Sequence, residues 1–367
     1  MMDASLYQPL FLTVTGVLAV LLAGRLYMSP DAQLTIKGQP NNFWIALPIC
    51  ILLALWLGFR PPYAVQFVDS FSYAHSYENV EFGFSRFDVH GEWLFTNLTV
   101  ACRELGLSVH GFFTIVAMVY VLSSLWAMTI LVPKNPLLGI VFVFGSLMFF
   151  TFGVNGIRNG MACHLTLLCI AFLLQSDYMS AAVVAAAAFF IHRSTALPIA
   201  SVVASRWLVK KPEYGMYIWL CAIAFSLLAG NWFMNIFASA GFDDRMESYT
   251  SSDASQFGFS STGFRWDFLI YSAMPILLGY YVLIVRGMKE NWYRVLFNTY
   301  CIANAFWVLV IRAAFSNRFA YLSWFLYPAV IVYPLIMMRV WDDQDRKTAQ
   351  ILLAYVGFTI IMNTLYW

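Results

Sequence analysis

The chain reads as an all-α, polytopic integral membrane protein with about twelve transmembrane segments, and three observations carry that reading. Its 367 residues are 61% hydrophobic and only 11% charged, against roughly a quarter charged in a soluble domain. The mean hydropathy is +0.71. Apolar runs separated by short polar stretches recur along the whole length, many of them near the roughly 20 residues that a helix needs to cross a hydrocarbon core.

In chain order the runs lie near 8–27, 41–59, 110–132, 138–152, 159–175, 178–192, 194–208, 215–238, 264–286, 293–312, 317–338 and 348–366. The first follows Asp3 with no basic residue ahead of it and exceeds the length of a signal-peptide core, so it is expected to be a retained span. Runs 138–152, 178–192 and 194–208 are too short for a full crossing and are expected to be broken or half-helices lining a cavity. Two polar breaks interrupt this middle region. One is Asn155-Gly156-Ile157-Arg158-Asn159-Gly160 and the other His192-Arg193-Ser194. An arginine at bilayer-centre depth costs about 2.5 to 3.5 kcal/mol on insertion scales, which drives it to an interface or to an anionic partner in a cavity.

Alternating the twelve runs puts the loops around Lys37, Lys134, Arg206-Lys210-Lys211, Arg286-Lys289-Arg294 and Arg339-Arg346-Lys347 on one side, which the excess of positive charge makes cytoplasmic. Both termini are then expected outside. So are the 60–109 connection, both polar breaks, an acidic loop over 239–263 and the short 312–317 turn. The outer side carries no lysine, only Arg60, Arg86, Arg103, Arg158, Arg193, Arg245, Arg265, Arg312 and Arg318. Either basic residue can set orientation, but the planar arginine fork suits a phosphate or carboxylate. The set therefore points to an anionic ligand, while any single member can instead snorkel at a span end or pair with a carboxylate.

A single polytopic domain over 1–367 is expected. Across the 60–109 connection are spread Asp69, Glu78, Glu81, Arg86, Asp88, Glu92, Arg103 and Glu104, too many charges for a span, yet it keeps helical periodicity. A helix over 62–80 places Asp69, Tyr73, Ser76 and Tyr77 on one face and Tyr63, Phe67 and Phe71 on another. A second helix over 92–107 puts Leu94, Phe95, Leu98, Cys102 and Leu105 on an apolar stripe, with Glu92, Thr96, Thr99 and Arg103 on a polar one. Carboxylates among tyrosines suit a carbohydrate; surface helices with solvated charges are the alternative. The stretch from Gly241 to Gly263, rich in Ser and Asp, reads as a loop able to close over a ligand or as a plain hydrophilic connection.

Several chemistries lack support. His75, His90 and His110 match no metal-ligand spacing, and Asp342-Asp343-Gln344-Asp345 sits beside Arg339, Arg346 and Lys347 as a solvated charged loop. There is neither a nucleophile elbow nor a phosphate-cradling glycine loop. The six cysteines show no C-x-x-C spacing, and no disulfide, metal or cofactor is expected. With a net charge of +2, no nucleic-acid partner is expected either. Gly153, Gly156 and Gly160 flank Arg158 and would let backbone approach a ligand, with amides free at the start of the following helix. Asn155 and Arg158, three apart, join His192, Arg193 and Ser194 in one plausible polar cluster.

The order of these motifs resembles the EpsG-like family of Wzy-type exopolysaccharide and O-antigen polymerases. The residues that carry it are Asp69-Ser70-Phe71-Ser72-Tyr73 with Tyr77, then Glu92, Asn155-Gly156-Ile157-Arg158-Asn159-Gly160-Met161-Ala162, Phe190-Ile191-His192-Arg193-Ser194 and Asn317-Arg318-Phe319-Ala320-Tyr321, over roughly 60–335. Asn159 stands where the family often has glutamine, and Gly91 precedes Glu92 rather than following it. The resemblance implies a GT-C-like glycosyltransferase architecture with amphipathic helices on the outer face of a bacterial cytoplasmic membrane. It implies transfer of a glycan from undecaprenyl pyrophosphate to the non-reducing end of another lipid-linked repeat unit. Its expected partners are that lipid-linked oligosaccharide, membrane lipid and a chain-length regulator.

On that expectation Arg158, Arg193, Arg318 and Arg265 hold the pyrophosphate without a metal, and Tyr73, Tyr77, Asn155 and Arg245 contact substrate. Asp69, Glu92 and His192 are the candidates for the base that takes the acceptor hydroxyl proton. Asp69 is preferred because its face also carries Tyr73 and Tyr77. A lipid-linked oligosaccharide flippase or other transporter, which would show pseudo-symmetric halves, and an O-antigen ligase are the rival functions.

Overall fold

The computed structural model describes residues 3–28, 42–239, 263–313 and 316–365. Its elements are helical, with no strand among the described residues. Seven helical segments there are long and apolar enough to cross a membrane: Ala4–Met28, Val109–Leu131, Ile157–Leu174, Pro212–Gly230, Trp266–Val285, Ser316–Met337 and Gln344–Leu365. Asn42–Gly58 and Tyr178–Ile191 are apolar but shorter. The protein is thus membrane-embedded and polytopic. The expected span 138–152 is two short helices, Pro136–Phe144 and Phe149–Val154, separated at Gly145 and Ser146. The 194–208 run forms only Ala196–Trp207.

The chain divides into two compact units, residues 1–193 with 332–367 and residues 194–331. In the first, the helices are α1 (Tyr7–Met28), α2 (Asn42–Gly58), α3 (Val68–Glu78), α4 (Trp93–Glu104), α5 (Val109–Leu131), α6 (Pro136–Phe144), α7 (Phe149–Val154), α8 (Ile157–Leu174) and α9 (Tyr178–Ile191). Caps explain several starts. Ser108 accepts from the Gly111 amide ahead of α5, Asp177 from Ser180 ahead of α9, and Asn135 from Leu138 with Pro136 in the first turn of α6. Each satisfies an amide that a helix start otherwise leaves unpaired.

The interior of this unit is built on α5 and α8. Phe112, Phe113, Val116, Ile157, Met161 and Ala162 are buried together with Ala74 and Tyr77 of α3, Phe95 and Cys102 of α4, and Ile191 at the end of α9. Small residues set how closely the helices approach. A Cβ at Gly58 would lie 2.6 Å from the Thr114 Cα, so only glycine permits that contact between α2 and α5. At Gly160 it would meet the Phe152 carbonyl oxygen at 2.5 Å, which fixes α7 against the first turn of α8.

The second unit contains α10 (Ala196–Trp207), α11 (Pro212–Ser239), α12 (Trp266–Tyr280), α13 (Asn291–Leu309) and α14 (Ser316–Trp324), after which α15 (Tyr327–Met337) and α16 (Gln344–Leu365) lead back to the first. Helix α11 breaks at Ala229, whose φ of −140° and ψ of 28° are not helical. A buried polar network ties the helices. Trp219 donates to the Asn304 carbonyl oxygen at 2.7 Å, the Asn304 amide to Ser272 at 3.2 Å and Ser323 at 2.9 Å, and Trp324 to Ser272 at 2.7 Å. The bilayer offers no water to replace these bonds, so the network specifies which faces of α11, α12, α13 and α14 meet. Asn304→Leu, which removes the amide but keeps the bulk, leaves Trp219, Ser272 and Ser323 without that partner. It is expected to cost about 1–3 kcal/mol, read as a lower melting temperature of the detergent-solubilised protein.

Candidate functional site

The 60–109 connection is less helical than its periodicity suggests. Pro61 and Pro62 lack amide hydrogens, and α3 starts only at Val68; Tyr63 donates to the Glu78 carboxylate, a bond that pushes its pKa up to about 12. Helix α4 begins at Trp93 with Glu92 at its cap position, but the Glu92 side chain makes no capping bond. It reaches elsewhere. Phe95, Cys102 and Thr99 face inward, Thr99 donating to the Phe95 carbonyl at 2.9 Å. Leu105, expected on the apolar stripe, is exposed.

The Glu92 carboxylate joins the two polar breaks. One oxygen is ion-paired with the Arg158 guanidinium, and the other lies 2.6 Å from His192 Nδ1. Side-chain exposures of 25% for Arg158, 20% for Glu92 and 13% for His192 leave the cluster reachable by a ligand yet poorly screened by solvent. Arg158 is in the first turn of α8 and His192 caps the end of α9. The α8–α9 hairpin therefore brings both to one end, where the start of α4 meets them. Arg193 donates to the His90 carbonyl at 2.7 Å, pinning the segment that leads to Glu92, and its Nε is buried without a partner.

Aromatic rings surround the cluster. The Arg158 guanidinium lies 5.9 Å from the Phe95 ring centroid, and Phe95 packs edge-on against Tyr73 at 6.0 Å. Phe87, Trp93 and Phe190 form a second group, with Phe87 5.3 Å from Trp93 and 5.2 Å from Phe190. The Trp93 indole donates to the Ser85 carbonyl at 3.1 Å, and Asn97 accepts from the Ser85 amide at 2.9 Å. The segment before Glu92 is held at several points.

A second polar assembly supports the turn that carries Arg158. Arg60 is fully buried; it donates to Ser70 at 2.9 Å and to the Leu57 carbonyl at 2.8 Å, and lies 3.9 Å from the Phe113 ring centroid. Ser70 in turn donates to the Val154 carbonyl, immediately before Asn155. Burial pulls the Arg60 pKa down to about 9, with Tyr7 and Tyr73 acting in the opposite direction, so it is a cation at neutral pH. Sequence reading placed Arg60 only in the outer arginine set. Nothing in its neighbourhood of Phe59, Pro61 and Pro62 signals a buried brace.

The other expected site residues are distributed as follows. Asp69 is half-buried on α3, one turn ahead of Tyr73. Tyr77 is fully buried, stacked on Phe112 with centroids 4.8 Å apart, and its hydroxyl donates to the Leu107 carbonyl at 2.7 Å; burial raises its pKa, as does nearby Cys102. Asn155 is half-buried between α7 and α8, with a buried carbonyl oxygen that has no partner. Arg265 and Arg318 belong to the second unit. Arg265 is bonded there by both nitrogens to Asp267, at 3.0 and 2.6 Å, with its guanidinium 3.7 Å from the Phe268 centroid. Arg245 and most of the 239–263 loop lie outside the described residues. Among the described residues no three His, Cys, Asp or Glu side chains gather as metal ligands.

Glu92, His192, Arg158 and Arg193 thus gather at helix ends in a polytopic helical membrane protein. The sequence comparison is specific: the chain belongs to the EpsG family, which matches over residues 44–367. No curated protein and no solved structure matches it.

If Glu92 holds Arg158 as strongly as its half-buried geometry implies, the two residues are energetically coupled. Glu92→Gln and Arg158→Gln, singly and together, are expected to be non-additive by about 0.5–3 kcal/mol in a thermal-unfolding double-mutant cycle. Additive losses would show that the pair is not formed.

Proposed function

We propose that the protein is a polysaccharide polymerase of the exopolysaccharide or O-antigen type. It transfers a glycan from a polyisoprenyl pyrophosphate to the non-reducing end of a second lipid-linked repeat unit, at the periplasmic face of a bacterial inner membrane. Membership of the EpsG family supports a polymerase role in polysaccharide biosynthesis. The observation that carries the chemistry is the single carboxylate shared by Arg158 and His192.

The acceptor hydroxyl oxygen forms a bond to the anomeric carbon while the bond from that carbon to the pyrophosphate oxygen breaks. The acceptor proton must leave, and a positioned base contributes about 10²–10⁴-fold to such a step. Glu92 lies 2.6 Å from His192 Nδ1; a carboxylate there orients the ring and favours the hydrogen on that nitrogen, which makes Nε2 the basic nitrogen of the imidazole. His192 is thereby favoured over Asp69 as base, with Glu92 orienting it. Arg158 and Arg193 neutralise the departing pyrophosphate, supplying preorganised positive charge where negative charge develops. Arg318 and Arg265, in the second unit, are candidates for binding pyrophosphate, and Tyr73 and Asn155 for the sugar.

The rings of Trp93, Phe87 and Phe190 support a carbohydrate substrate, since sugar ring faces pack on aromatic surfaces. A chain-length partner is expected but not needed for the transfer itself. In a host lacking the native gene, the ladder of long surface glycans on a gel measures activity. His192→Ala, Glu92→Gln and Arg158→Ala are each expected to reduce it by about 10²-fold or more, leaving single repeat units attached, with Asp69→Asn less severe. Full-length ladders from all four variants would overturn the proposal. Loss of all surface glycan in the null strain would instead favour a flippase or ligase.

A further inference from the structure

A groove of about 960 Å³ opens along one side of the first unit, near the upper end of the roughly 300–1,000 Å³ usual for ligand sites. Its α1 lining is Pro9, Leu12, Thr13, Gly16, Val17, Val20 and Leu21, a single stripe at helical spacing. With Ser5 and Gln8 it extends from Ser5 to Leu21, about 25 Å of helix axis at 1.5 Å per residue. Ile360, Asn363 and Thr364 of α16 form part of the opposite wall. Gly16 allows α1 and α16 to approach closely there, since a Cβ would lie 3.1 Å from Ile360 Cδ1.

The groove changes character from end to end. The groove's polar side chains gather at the start of α1, where Ser5, Gln8, Gln66, Asn155 and Asn363 lie among Ala4, Phe67, Phe150 and Val154, with Gln8 donating to Asn363 at 2.7 Å. Toward Val17, Val20 and Leu21 it is apolar, and these side chains are exposed. Asn155 lines this end, and its buried side-chain oxygen has no hydrogen-bond partner among the described residues. Three residues further on is Arg158.

We infer that this groove holds a single-chain polyisoprenyl phosphate, its tail along α1 and its head beside Asn155, within reach of the turn that carries Arg158. A stripe one helix wide accommodates one chain and not the two of a phospholipid, and the polar-to-apolar gradient matches one head and one tail. The choice of a polyisoprenyl lipid rests on the polymerase reading; the shape and polarity of the groove do not.

The test uses the full-length protein in phosphatidylglycerol nanodiscs, probed with a photoreactive polyisoprenyl phosphate and, separately, with a photoreactive phosphatidylglycerol. The polyisoprenyl probe is expected to label 13–21 and 360–364, and unlabelled polyisoprenyl phosphate should compete it away although phospholipid is present in large excess. Val17→Trp and Val20→Trp, which fill the groove from its exposed side, should weaken labelling by about tenfold, or about 1.4 kcal/mol. Val14→Trp, exposed on the same helix but outside the groove, should leave it unchanged and controls for folding. Equal labelling by both probes, or labelling that unlabelled polyisoprenyl phosphate does not compete, would mean that bulk lipid fills the groove and would overturn the inference. Competed labelling by a protein that elongates no glycan would sustain the groove and remove the polymerase reading, whereas elongation without it would do the reverse.

Discussion

One carboxylate holds the candidate site together. Glu92 binds Arg158 from one polar break and His192 from the other, residues that are 34 apart in sequence and belong to opposite ends of the α8–α9 hairpin. Without it, the Arg158 cation would sit half-buried with no carboxylate beside it, in surroundings where an unpaired charge is costly. With it, Arg158 keeps a compensating charge when no ligand is bound, and His192 keeps one tautomer. The ion pair also implies competition: an incoming oxyanion must share or replace Glu92 on Arg158.

That geometry depends on close packing beneath it. Gly160 allows the Phe152 carbonyl to sit where any side chain would be, and this contact sets the turn through Asn155 and Gly156. From below, Arg60 and Ser70 reach the Val154 carbonyl, joining α3 to the same turn. From above, Arg193 grips the His90 carbonyl. The turn bearing Arg158 is thus fixed by Gly160 and by the Arg60–Ser70 brace, while Arg193 holds the segment that leads to Glu92, the preorganisation that electrostatic stabilisation of a leaving group requires.

Much of this was legible in the sequence, for a physical reason. Hydropathy and low charge reveal membrane helices because lipid imposes one backbone solution on every span, and Arg158 and His192 stood out because they are costly there. The number of crossings was harder to read. The run at 138–152, read as too short for a crossing and as broken or a half-helix, does divide into two helices at Gly145 and Ser146, though hydropathy does not register where. Tyr77 illustrates another limit: it was expected to contact substrate, yet packing stacks it on Phe112 and gives its hydroxyl to Leu107. The pairing of Glu92 with His192 spans 100 residues, and no local pattern encodes a contact at that range. Arg60 escaped for the same reason, since its partners come from α2, α3 and α5.

The account stands on glycan transfer at a site built from Glu92, His192 and Arg158. The most direct measurement reconstitutes the purified protein in liposomes with a lipid-linked repeat unit as both donor and acceptor, and follows glycan length together with released polyisoprenyl pyrophosphate. Elongated lipid-linked glycan and one released carrier per added repeat are expected from the wild type, and neither from His192→Ala. Movement of the lipid-linked unit across the bilayer with no elongation would contradict the account.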